Sequence, residues 1–168
     1  MTVKNVLRTA AMLALLSSTV MFSSCTSGGA ASAASANAAA KIVSVTVKSA
    51  NGDHHFEVEL ARTQAEQQRG LMFRTNIPQN GGMLFSPHPP EGGPPTEASF
   101  WMKDTPSPLD IIFIRPDGTI ARIAENTTPF SQTPIPSGEP VSAVLELRGG
   151  RTAELGIAEG DQVSWAGR

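Results

Sequence analysis

From Lys41 onward the chain never runs far without a turn signal. Short apolar, β-branched segments are divided by glycine and proline at intervals of about ten residues. Residues 42–47 (Ile-Val-Ser-Val-Thr-Val) predict a strand, Asn51-Gly52 a tight hairpin turn, and the alternation over 55–60 the return strand. Thr63 and Glu66 have the spacing of a capping box, so a short helix is expected to open there and stop at Arg69-Gly70. Residues 83–85 form a short apolar segment, and further strands are expected over 100–103, 109–114, 119–124, 141–147 and 162–165, with a turn at Pro116-Asp117-Gly118. The proline-dense stretches 86–95 and 129–140 predict loops, and 151–155 a single helical turn before Gly156. Residues 156–161 predict a tight turn in which Asp161 bonds its own backbone. The fold class that follows is mostly β: a compact β-sandwich or barrel-like domain with one or two short helices.

The segment before that domain has a different character. Lys4 and Arg8 precede an apolar run from Thr9 to Phe22, the layout of a secretory signal and too short to span a bilayer comfortably. Phe22-Ser23-Ser24-Cys25 resembles the lipobox at which bacterial lipoprotein signals are cut, with Phe where Leu is usual. The expectation is a signal peptide with lipobox over 1–25, a lipid anchor at Cys25, a flexible Ser/Gly/Ala tether over 26–40 and one domain over 41–168. Localisation would then be the periplasmic face of the cell envelope. Cleavage near Ala36, at Ala34-Ser35-Ala36, is the alternative and gives a soluble exported form.

Cys25 is the single cysteine, so a lipidated chain has no thiol left for a disulfide, a thiolate metal site or a nucleophile. A domain of this size can still bury enough surface to hold itself together. The chain has 13 basic and 15 acidic residues; loss of Lys4 and Arg8 leaves 11 against 15, a net charge of −4. With no basic patch in view, nucleic acid is disfavoured as a partner.

Several words of the sequence occur together in a known order. They are residues 69–74 (Arg-Gly-Leu-Met-Phe-Arg), 82–85 (Gly-Met-Leu-Phe), 100–105 (Phe-Trp-Met-Lys-Asp-Thr), 108–113 (Pro-Leu-Asp-Ile-Ile-Phe), 144–147 (Val-Leu-Glu-Leu), and Gly156-Ile157 before Gly160-Asp161. On these the chain resembles the domain of unknown function 192 family of bacteria and archaea, from about Val58 to Val163. The resemblance implies a β-rich, sandwich-like fold and no established activity. Two departures stand out: Asp104 replaces the family's usual Asn, changing the charge of any site there, and the proline-rich loop before Phe100 is longer.

Strand alternation places Phe100 and Met102 on one face and Trp101 and Lys103 on the other. Leu109, Ile111 and Phe113 share a face, Asp110 lies with Ile112 and Ile114, and Glu146 lies with Val144. A charge inside an apolar strand needs a partner. One reading joins Lys103 to Asp110, with Arg69 and Glu146, in a structural ion-pair network. The other sets Arg69, Trp101, Lys103, Asp104, Asp110 and Glu146 around a cleft that binds a small polar or sugar-like ligand.

Met72, Met83 and Met102 are expected as core beside Phe73, Phe85 and Phe100. His54, His55 and His88 lack metal-ligand spacing, so no metal or cofactor is expected. The functional expectation is an envelope-located, non-catalytic binding or support module. Two alternatives stand beside it: a hydrolase of envelope glycans using Asp110 and Glu146, and a scaffold that meets an envelope protein through its proline-rich loops.

Overall fold

A computed structural model describes residues 40–168. The expected signal, lipidated Cys25 and all but the last residue of the tether lie outside that range. Strand β1 (Ile42–Ser49) and β2 (Gly52–Ala61) form the predicted hairpin, with Ser49 opposite Gly52. The turn therefore occupies Ala50-Asn51, one residue earlier than the Asn-Gly pair predicted. Gly52 follows it with a φ of +119°, a value that costs glycine little. Helix α1 (Gln64–Arg69) begins with the expected capping box, Thr63 and Glu66 each bonding the other's backbone. Then come β3 (Gly82–Phe85), β4 (Thr96–Phe100), β5 (Leu109–Ile114), β6 (Ile120–Ala124), β7 (Ile135–Val141), β8 (Ala143–Arg148), α2 (Arg151–Leu155) and β9 (Gln162–Trp165).

Seven strands form one sheet in the order β6-β5-β8-β3-β2-β1-β9, antiparallel except for the β2–β3 pair. Its two edge strands meet through the bridge between Thr119 and Gln162 and the bond from Ile120 N–H to the Asp161 carbonyl (2.8 Å). The sheet thus curls into a half-barrel, and β4 with β7 makes a second, two-stranded sheet. The molecule is mostly β with two short helices, as the spacing of turn signals implied.

Two cores result. Val43, Val45, Val47, Phe56, Val58, Leu84, Ile112, Ile114, Leu145 and Val163 fill the inside of the curl. Leu71, Met83, Phe85, Met102, Ile111, Phe113 and Val144 pack on its other side. Because β5 and β8 lie between them, alternate residues of each strand enter different cores. That is why the run from Leu109 to Ile114 is buried throughout. Burial drives both faces, as expected for side chains removed from water.

Two elements differ from expectation. The strand ending at 103 stops instead at Phe100, because Lys103 and Asp104 form a turn in which Asp104 has a φ of +54°. Asp and Asn enter that left-handed region more readily than other side chains, which accounts for the Asp at this turn. The predicted loop over 129–140 contains β7. Its prolines 136 and 140 face Ser99 and Glu97 of β4 in a sheet of two strands, where a missing N–H on the open side breaks no ladder bond. The two Met residues at 83 and 102 are buried as expected, and Met72 is partly buried.

Candidate functional site

Two carboxyl groups lie inside apolar strands, and the fold treats them in opposite ways. Asp110 is fully buried and fully bonded. Its Oδ1 accepts from the Asn126 N–H (2.7 Å) and the Gly150 N–H (2.9 Å); its Oδ2 accepts from the Thr152 N–H and hydroxyl (both 2.7 Å). The reason lies in α2. Gly150 precedes the helix with a φ of +80° and has no side chain to bond the first turn. Asp110 supplies that cap from another strand, giving charge-assisted bonds to donors that would otherwise be buried unpaired.

Glu146 has no such support. It sits on β8 between Met83 of β3 and Ile111 of β5. It is only 4% exposed. Among the described residues its carboxyl makes neither a hydrogen bond nor an ion pair. Burial without a compensating charge pushes it up to about 8, so at neutral pH it is an un-ionised acid. The strands hold it tightly. Gly82 lies so close to β8 that a β-carbon there would fall 2.0 Å from the Glu146 carbonyl oxygen.

Glu146 forms part of the wall of a cleft of about 670 Å³. Its lining comes from α1 and the chain after it, including Gln67, Arg69 and Leu71, and from Phe100, Trp101 and Lys103. The proline-rich loop contributes His88 and Glu91. Gln67 ties that loop to the helix by donating to the carbonyls of Pro87 (2.8 Å) and Ala61 (3.2 Å). His88 is half-buried and its Nδ1 has no partner; burial lowers its pKa, so it too is neutral at pH 7. Phe100 packs edge to face against Phe85, which also lines the cleft, and against Phe113, with centroids 5.0 and 5.9 Å apart.

The turn carrying Lys103 is held by unusual backbone. Phe73 and Phe130 have φ of +65° and +60°, values that bulky side chains seldom adopt. Their N–H groups donate to the carbonyls of Asp104 (2.7 Å) and Thr105 (3.1 Å). Strain of this kind persists only where surrounding bonds over-determine it.

The structure therefore brings Arg69, Trp101, Lys103 and Glu146 to one cleft and leaves Asp104 and Asp110 out of its lining. The expected ion-pair network is not made. Asp110 is satisfied by N–H and O–H donors, and among the described residues Arg69, Lys103 and Glu146 form no ion pair. Lys103 instead places its Nζ 5.5 Å from the centroid of the Trp101 ring, a cation–π contact at an exposed site. Lys103→Met is accordingly expected to leave the melting temperature within about 2 °C, read by thermal denaturation. A drop of 5 °C or more would mean that the lysine supports a buried acid after all.

Sequence reasoning missed His88, Glu91 and Gln67 as cleft residues. The signals were weak: a histidine between prolines, and glutamines at 64, 67 and 68 on one side of a six-residue helix. Among the described residues no group of three His, Cys, Asp or Glu side chains could hold a metal ion, and no helix is long and apolar enough to cross a membrane.

The DUF192 model, described as "Uncharacterized ACR", matches residues 45–165. A crystal structure of a protein of unknown function from Novosphingobium aromaticivorans DSM 12444 is 47% identical, with a TM-score of 0.71, covering 77% of this chain and 89% of that one. A crystal structure from Sinorhizobium meliloti 1021, of a protein described as a candidate transcription regulator, is 39% identical. Its TM-score is also 0.71, and the match covers 77% of this chain and 97% of that one. No curated protein matches.

Proposed function

The chain belongs to the DUF192 family, and from that premise we propose that its domain is a non-catalytic binding module of the cell envelope, holding a small polar ligand in the cleft beside Glu146. One observation carries this reading. A buried carboxyl without a partner costs free energy, and here it faces open space that a ligand could fill. Trp101, 49% exposed at the same cleft, offers an apolar wall.

The test is a thermal-shift screen of the purified protein against sugars, peptidoglycan fragments, nucleotides, metals and small organic acids. A ligand at about 100 times its dissociation constant adds roughly 2.7 kcal/mol, enough to raise the melting temperature by several degrees. The expected hit disappears in Trp101→Ala, which otherwise melts like the parent. A hit indifferent to Trp101 would move the site elsewhere, and no hit at all would favour a protein partner at the proline-rich loops.

The hydrolase reading has weaker support. Asp110 commits both carboxylate oxygens to the α2 cap, which leaves Glu146 without its expected partner acid. The envelope location rests on the leader and on Phe22-Ser23-Ser24-Cys25. Cys25→Ser is expected to move the protein from the membrane fraction to the soluble one; unchanged retention on membranes would sink the lipid anchor.

A further inference from the structure

We propose that the ligand of this cleft is a small oxyanion, a carboxylate or phosphate monoester with an apolar body, which accepts a hydrogen bond from Glu146 and lies with its charge near Arg69 and Lys103. This deepens the binding reading above and rests on it.

The charges around the cleft carry the inference. Arg69 at the end of α1 and Lys103 beyond β4 are exposed cations that both line the cleft, and neither is paired among the described residues. On the proline-rich loop Glu91 is the one other carboxyl in the lining, and His88 is neutral at pH 7 because burial lowers its pKa. From β3 and β5 the residues opposite Glu146 are Met83 and Ile111, which carry no charge. At neutral pH the lining thus holds two cations, one carboxylate and one un-ionised acid, a net positive surface on a chain whose formal charge is −2. A protonated carboxyl has one O–H to give, and an oxyanion is the acceptor that makes such a bond short and strong. A cationic ligand would meet two like charges and would find a single carboxylate, Glu91, unless it expelled the Glu146 proton. The aromatic and aliphatic side chains between these groups suit an apolar body.

The experiment uses the full-length protein and three ligands of one shape: benzoate, benzamide and benzamidine, bearing charges of −1, 0 and +1. Phenyl phosphate is the fourth. At pH 6.5 benzoate or phenyl phosphate is expected to bind about tenfold more tightly than benzamide, with benzamidine weakest. Whichever anion binds more tightly identifies the oxyanion. Raising the pH from 6.5 to 9 adds a negative charge at Glu146 and is expected to weaken the anion about fivefold or more. Glu146→Gln keeps an N–H donor at that position and is expected to bind without this pH dependence. Lys103→Met is expected to weaken the anion about fivefold while melting like the parent.

Tightest binding of benzamidine, or anion affinity that rises with pH, would overturn the proposal. So would a pH profile unchanged in Glu146→Gln. If none of the four binds but a neutral sugar binds through Trp101, the oxyanion inference fails and the binding reading stands. If nothing binds in either experiment, both fail.

Discussion

Asp110→Ala is expected to cost about 3–5 kcal/mol and to lower the melting temperature by about 10–15 °C. The change removes more than a charge. It leaves three backbone N–H groups, of Asn126, Gly150 and Thr152, and the Thr152 hydroxyl without their acceptor. Thr152 is fully buried, so water cannot replace the lost carboxylate there without opening the structure. Asp110→Asn fits the same space, yet its NH₂ must face donors at one of the two positions; a loss of about 2–4 kcal/mol is expected. Urea unfolding of the two variants beside the parent measures this. A loss below about 1 kcal/mol for alanine would show that α2 needs no cap from β5.

This role was half visible in the sequence. The alternation of residues 109–114 put Asp110 on the face of Ile112 and Ile114, and the fold keeps it there. Its partners were not visible, because strand patterns offered only an ion pair or a cleft facing a ligand, and neither supplies backbone donors. The actual donors come from residues 126, 150 and 152, and their meeting depends on how β5 lies beside β8 and where α2 starts. Side-chain period shows which way a residue points along a strand, but it does not show which turn from elsewhere will cover the end of that strand.

The cleft follows the same logic. Trp101 and Lys103 were placed on one face by alternation, and they remain together although the strand stops at Phe100. A turn at Asp104 replaces the last pleat and preserves the contact. Glu146 was legible as an acid in an apolar run, but its lack of a partner was not; that depends on Met83 and Ile111 being its neighbours across β3 and β5. The strand over 135–141 was hidden by its own prolines, since proline signals a loop unless the strand has an open side. The two-stranded sheet it builds with β4 positions one wall of the cleft, so missing it also obscured the cleft.

Glu146→Gln is expected to make the protein more stable, by an amount that grows with pH. In the folded chain Glu146 holds its proton up to about pH 8, whereas its ordinary value is 4.5. Between those values the folded state binds one proton more than the unfolded state, so each pH unit lowers stability by about 1.4 kcal/mol. The contribution is fully present below about pH 4.5 and is lost as pH rises through about 8. Across the window that amounts to on the order of 5 kcal/mol. Glutamine has the same shape and no proton to lose. The parent and Glu146→Gln should therefore have similar stabilities in urea at pH 5 and diverge by several kcal/mol at pH 8.5. Other shifted groups, His88 and the hydrogen-bonded carboxylates of Glu66 and Asp117 among them, are common to both proteins and cancel in the difference. Parallel stability profiles would mean that Glu146 is ionised at neutral pH and solvated through the cleft. An ionised Glu146 would leave the lining with two cations and two carboxylates and no net charge, so the same curves also test the positive cleft on which an anionic ligand depends.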